Sequence, residues 1–193
     1  MTELPIFPLN TVLFPGGILP LRIFETRYMD MTRDCMKQGS EFGVSLIREG
    51  KEVGTPAIPM VIGCTAGIVD WDMTQLGVLN IRTEGRRRFR LLSSAPNSQG
   101  LLIGEVEFLA DDPGAPVPSE HTECVTILRS IVEKHGNEVL PQPHRFDDSA
   151  WVSYRLSERV PMPAAGKQKL LEIDDHASRL EILHRLITRA SSA

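Results

Sequence analysis

The segment Leu4–Leu21 reads LPIFPLNTVLFPGGILPL and carries no charged side chain between Glu3 and Arg22. Its length alone fits a membrane-spanning helix, which needs about 20 apolar residues. The prolines decide otherwise. Pro5, Pro8, Pro15 and Pro20, with Gly16 and Gly17, cannot share one helix, because each interior proline removes a backbone hydrogen bond and costs about 3 kcal/mol. A secretion signal needs a basic start, whereas this chain opens Met1-Thr2-Glu3. The run therefore reads as short extended pieces that turn at Pro and Gly and bury their apolar side chains.

Further strand-like stretches follow. LRIF (Leu21–Phe24) leads into a helix expected over Thr26–Gln38, with Thr26 as its cap, Tyr28, Met31, Cys35 and Met36 on one face, and Gly39 as its stop. Phe42–Ile47, Met60–Val69, Leu76–Gly85, Arg86–Ser94 and Leu101–Ala110 then have strand lengths and are separated by Gly, Pro and Asn. Many short strands with one small helix predict a closed or nearly closed barrel, which removes exposed strand edges.

Composition changes at DDPGAPVPS (Asp111–Ser119), whose three prolines in nine residues predict a short stiff linker. Beyond it the apolar period becomes helical. A helix capped by Ser119 and stopped by Gly136 places Val125, Leu128, Ile131 and Val132 on one face. A second starts after Asp147-Asp148 and carries Trp151, Tyr154 and Arg155; a third covers Ala164–Ile173. The last begins at Asp174 or Asp175 with Leu180, Leu183 and Ile187 inward. The expected architecture is α+β: residues 1–113 a β-barrel with one small helix, residues 114–193 an α-helical bundle.

Charge excludes one class of partner. The net charge is −4, with 11 basic against 14 acidic residues before position 114 and 10 against 11 after it, so no segment grips a polyanion by overall charge. Cys35, Cys64 and Cys124 are odd in number and far apart, which predicts reduced, mostly buried thiols and a cytoplasmic setting.

LPIFPLNTVLFPGGILPLRIFETRYMDMTRDC, IGCTAGIVDWD and IRTEGRRRFRLL together resemble the substrate-binding (N-terminal) domain of bacterial Lon proteases. The similarity continues in GKQKLLEIDDHASRLEIL through Lys167, Gln168, Leu170, Leu171, Glu172, Arg179 and Leu180. The resemblance implies a barrel of the PUA-like kind followed by helices. It also implies recognition of unfolded or tagged polypeptides, which in full-length Lon precedes an ATPase ring and a peptidase. Because the sequence stops at Ala193, neither of those two parts is expected, and the chain is expected to be no enzyme and to need no cofactor.

The residues agree. Gly166-Lys167-Gln168 has Gln where a phosphate-gripping loop needs a hydroxyl, and lacks the earlier Gly. Ser130 and Lys134 are four apart on one helix, where surface neighbours commonly fall, rather than a serine–lysine nucleophile pair. The histidines form no His-Glu-x-x-His, and HTEC (His121–Cys124) supplies at most half a metal site, read as a solvent-facing His beside a buried Cys. EIDDH (Glu172–His176) reads as helix capping. A hydrolytic site hidden across the two halves is the remaining enzymatic alternative, recognisable by convergent His and carboxylate groups.

Two surfaces stand out. Within RTEGRRRFR, strand alternation puts Arg86, Arg88 and Arg90 on one side, a row able to track a phosphate backbone or to pair with Glu84, Glu105 and Glu107. The opening run holds more apolar side chains than one small face buries, and its FPGGILP portion breaks alternation. Phe14, Pro15, Gly16, Ile18, Pro20 and Leu21 are therefore the candidate polypeptide-binding surface, with a rimmed apolar patch tolerating many client sequences. The expected partners are unfolded or extended polypeptides, together with a protease or chaperone. No membrane is expected, and a nucleic acid only as the alternative.

Overall fold

In the computed structural model, which describes residues 2–136, 139–140 and 142–191 without the side chains of residues 74, 190 and 191, the opening run forms two strands and a turn. β1 covers Thr2–Leu9 and β2 covers Ile18–Ile23. Pro5 lies where β1 pairs with β7 (Leu102–Phe108), and Pro8 where it pairs with β3 (Phe42–Glu49). Only Ile6 is in both ladders, so each proline sits beside an edge without a partner strand, where a missing N–H is tolerated.

The remaining elements of the first unit, Met1–Ala110, are α1 (Thr26–Gln38), β4 (Ile58–Pro59), β5 (Ile62–Gln75) and β6 (Val78–Pro96). Glu25, not Thr26, is the residue before α1, and its side chain makes no capping bond. Gly39 ends the helix at φ 63°, as its lack of Cβ permits. The strands run β1-β7-β6-β5-β3-β4, with β2 beside β6 and a parallel β1–β3 ladder that leads back to the start. This mixed sheet is not the clean barrel expected: β2 and β4 lie off the ring, and β5 and β6 extend past it. The stretches Leu76–Gly85 and Arg86–Ser94 belong to one long strand, since β6 has no glycine turn between them.

Two apolar clusters absorb most of the opening run. Phe7, Leu9, Leu13 and Ile23 pack with Tyr28, Met31, Phe42, Val44, Leu79 and Ile81, and the Phe7 ring stacks on Tyr28 at 3.8 Å. Leu4 and Ile6 pack with Phe89, Leu102 and Val106.

The second unit, Asp111–Ala193, carries α2 (Thr122–His135), α3 (Ser149–Arg159), α4 (Ala164–Glu172) and α5 (His176–Ser191), with α3 against the other three. A 3-10 turn, Ser119–His121, precedes α2, so Ser119 is not its cap. Asp148 caps α3 by accepting from Ala150 and Trp151 N–H groups at 2.9 and 3.2 Å. Asp175 does the same for α5, accepting from Ser178 N–H at 2.8 Å. Residues 111–118 are no free linker. Asp112 is buried against His176 Nδ1 and Arg179, Ala115 N–H donates to Ser149 Oγ, and Pro116 bridges to Asp148.

Arg179 is the polar centre of this unit. Fully buried, it donates to the Leu170 and Ile173 carbonyls at 3.2 and 2.7 Å and to Ser153 Oγ at 2.9 Å, and it lies 4.0 Å above the Tyr154 ring. Every donor of such a cation needs a partner when water is excluded.

Candidate functional site

The FPGG turn, Phe14–Gly17, opens the candidate polypeptide-binding surface. Gly17 N–H donates to Phe14 O at 2.9 Å, and Gly16 takes φ 71° with Pro15 before it, a turn only glycine enters easily. The turn is then seated on β6. Gly16 N–H donates to Gly85 O at 2.7 Å and Gly85 N–H to Gly17 O at 2.8 Å. A Cβ on Gly85 would stand 2.1 Å from Phe14 O, so a glycine is required there. Phe14 is consequently core, with no exposed surface, and its expected place on the outside is corrected. Pro15, Gly16, Ile18 and Leu21 are half-buried, and Pro20 alone of the six is exposed.

The basic row is also broken. Cys64 pairs with Arg88 and Ala66 with Gly85, so Arg86 and Arg87 together face Thr65, whose Oγ1 accepts from Arg87 N–H at 3.1 Å. This bulge shifts the register by one residue and brings Arg86 and Arg87 together. Arg86 and Arg90 stay outside, paired with Glu84 and Glu107 at 3.1 and 3.4 Å, while Arg88 is buried at 3% exposure.

Apolar side chains collect instead on the hairpin that β5 and β6 form beyond the ring. β5 pairs with β3 only over Cys64–Ala66, whereas its ladder with β6 continues to Gln75↔Val78. Residues 67–75 thus have a second edge with no partner strand among those described. Here Val69, Trp71 and Met73 are each about half exposed, although register shifts between Ile68 and Asp70 and between Asp72 and Gln75 interrupt strict alternation. Leu76, at the turn, is 96% exposed. Trp71 stands opposite Ile81, and Ile81 opposite Leu21, so the three form one cross-strand row whose outer end is the indole.

A groove of about 440 Å³ runs between this edge and the end of α1, lined among others by Cys35, Met36, Gly39, Val69, Trp71 and Arg86. Gly67 keeps it open beside the Arg86 guanidinium, which a Cβ would approach to 3.1 Å. Trp71 N–H is held by Asp70 Oδ1 at 2.9 Å, which covers one donor of the edge. Burial pushes the Cys35 thiol up, outweighing the Ser40 hydrogen bond, the opposite of what a nucleophilic cysteine needs. The groove offers shape, apolar surface and backbone groups.

A profile of the family described as "ATP-dependent protease La (LON) substrate-binding domain" matches residues 3–189. The chain belongs to this family. It is 24% identical over 195 residues to the Lon protease of Escherichia coli strain K12, covering 94% of this chain and 24% of that protein. It is 25% identical over 199 residues to the Lon protease of Cytophaga hutchinsonii, covering 96% and 24%. The chain thus spans about a quarter of the length of these curated relatives. Among solved structures, a Lon N-terminal domain protein from Xanthomonas campestris is similar with a TM-score of 0.80 and 38% identity, covering 95% of this chain and 97% of that one. The N-terminal domain of a Mycobacterium avium complex Lon protease matches with a TM-score of 0.67 at 17% identity, over 94% and 96% of the two chains, a likeness of fold.

The helical residues singled out in the sequence have structural duties here. Lys167 Nζ donates to the Glu158 carbonyl at 2.7 Å, and Gln168 is buried. Ser130 Oγ donates back to the Ile127 carbonyl at 2.8 Å, inside its own helix. His121 and Cys124 do not form the half-site once considered. Burial and then Glu123 push the Cys124 thiol up to about 11, and His121, expected outside, is buried against Glu181 of α5. Among the described residues, no helix is long and apolar enough to cross a membrane.

Proposed function

We propose that this Lon substrate-binding domain captures extended or unfolded polypeptide segments at the free edge of β5, over the shelf made by Val69, Trp71, Met73 and Leu76. The observation that carries this reading is the coincidence, on residues 67–75, of an edge without a partner strand among those described and several exposed apolar side chains. An extended client adds a strand by main-chain pairing and seats every second side chain on the shelf, a mode that reads backbone before sequence. Leu21 shares the cross-strand row of Trp71, whereas Ile18 and the exposed Pro20 pair with Glu84 and Arg82 on the other face of β2. Captured chains are passed on to a protease or chaperone in the cytoplasm, so the domain works as an adaptor or regulator of proteolysis and not as a catalyst.

The test is a titration of a fluorescently labelled, chemically unfolded polypeptide into the native chain and into Trp71→Ser. Native binding that persists as salt is raised, with roughly tenfold weaker binding by the variant, supports apolar capture. Equal binding by the two proteins, or binding abolished by moderate salt, removes it.

A further inference from the structure

His121 closes the 3-10 turn before α2, and its side chain is 8% exposed. Its Nε2 lies 3.0 Å from Glu181 Oε2 on α5, while its Nδ1 is buried without a hydrogen-bond partner. His184 follows Glu181 by one helical turn, so both face the same way. The His184 ring stands edge-on to His121, with centroids 5.1 Å apart at 83°. Ligand-capable atoms of His121, Glu181 and His184 all lie within 4.8 Å of one another. A fourth group is at hand: Glu123 Oε2 is 3.6 Å from His184 Nε2.

A histidine buried for structural reasons needs one partner. Here a second imidazole converges on the same point from another helix, at a spacing that hydrogen bonding does not require. We propose that His121, Glu181 and His184 bind a late first-row divalent cation, zinc above all, with Glu123 placed to add a further oxygen.

The chemistry fits that choice. Two imidazoles with a carboxylate select zinc, copper, nickel or iron over magnesium and calcium, which prefer oxygen throughout. Bond lengths of about 2.0–2.2 Å in a tetrahedral zinc site set neighbouring ligand atoms roughly 3.3 Å apart. The His121–Glu181 pair already stands at 3.0 Å. His184 is a quarter exposed and closes the remaining gap by a side-chain movement. Glu181 is oriented from behind by Arg185, whose Nε donates to its other oxygen at 2.6 Å. His121 Nδ1 has no such support, and lack of an outer partner lowers metal affinity about 10- to 100-fold. The site is therefore weak and exchangeable, and its occupation ties the start of α2 to α5.

Calorimetric titration of the full chain with zinc chloride tests this, with cobalt(II) absorption as a second readout of coordination. One zinc is expected to bind and to raise the melting temperature with the logarithm of its excess over Kd. His184→Ala and Glu181→Gln should each weaken binding at least tenfold and lose the cobalt spectrum, while melting normally in metal-free buffer. His135→Ala, on the exposed end of α2, should bind as the native chain does. Absence of heat and of a melting shift with zinc overturns the proposal. So does zinc binding of undiminished affinity in both His184→Ala and Glu181→Gln, which places the metal elsewhere.

Discussion

Replacing Leu76 by serine probes the capture shelf with the least disturbance to the fold. Leu76 lies at the β5–β6 turn and is 96% exposed, so it adds almost nothing to the core. A surface change of this kind shifts stability by about 0.5 kcal/mol or less. Burying a whole leucine side chain is worth roughly 1.5–3 kcal/mol, and nearly all of that is still available before a client arrives. A client that covers half of the side chain gains about 0.8–1.5 kcal/mol, which corresponds to roughly four- to twelvefold in affinity. Fluorescence anisotropy with a labelled unfolded polypeptide measures that factor, and a thermal melt of the same samples confirms that folding is untouched. Leu76→Met should restore binding, since it returns the apolar surface with a different shape. If Leu76→Ser captures the polypeptide as tightly as the native chain, the hairpin shelf is not where clients dock.

Phe14→Ala should behave oppositely: a fully buried ring is removed, so unfolding shifts to lower urea by about 3–5 kcal/mol of stability, and any binding loss follows the unfolded fraction. Selective loss of capture by a fully folded Phe14→Ala would return the client surface to the opening run. Glu158→Gln tests a pH effect: burial raises this carboxyl from 4.5 to about 7, against the pull of Arg155, Arg159 and Lys167. The folded state then holds the proton more tightly than the unfolded one, so stability of the native chain falls as pH rises through that window. The variant, which has no proton to lose there, should show a flatter dependence between pH ~4 and pH ~8. Parallel stability curves for the two across the range would refute the assignment.

How legible these features were depends on whether they are local. The bounds of α1 follow from an apolar period and from Gly39, which only needs its own φ of 63° to end a helix. The break in the arginine row does not. It arises because two residues of β6 oppose one of β5, and Thr65 supplies a hydroxyl to the displaced Arg87 N–H. Nothing in RRRFR announces that, because the bulge is fixed by the partner strand.

The burial of Phe14, expected outside, has the same origin. FPGGILP lacks alternation, and its backbone bonds are made across the sheet to Gly85, a glycine 69 positions beyond Gly16. GIVDWDMTQ, in contrast, was expected to leave its strand at Val69, and β5 continues to Gln75. Whether its apolar residues are covered depends on how far β3 runs alongside, and it stops at Ala66.

That stopping point connects the architecture to the proposed activity. β5 has 14 residues and β6 has 19, whereas β3 has 8, of which three pair with β5. A long hairpin that outruns its neighbour is exposed to pairing with any strand, including its own copy. Asp70 and Asp72 meet that hazard in two ways. Asp70 occupies the Trp71 N–H, and both acids would face like charge in an antiparallel pairing of two identical edges. A foreign extended segment meets no such mirrored acids, and it can displace one side-chain hydrogen bond with a main-chain one while covering Val69, Trp71 and Met73. The same residues that oppose pairing with a second copy therefore leave the edge open to the clients proposed for it.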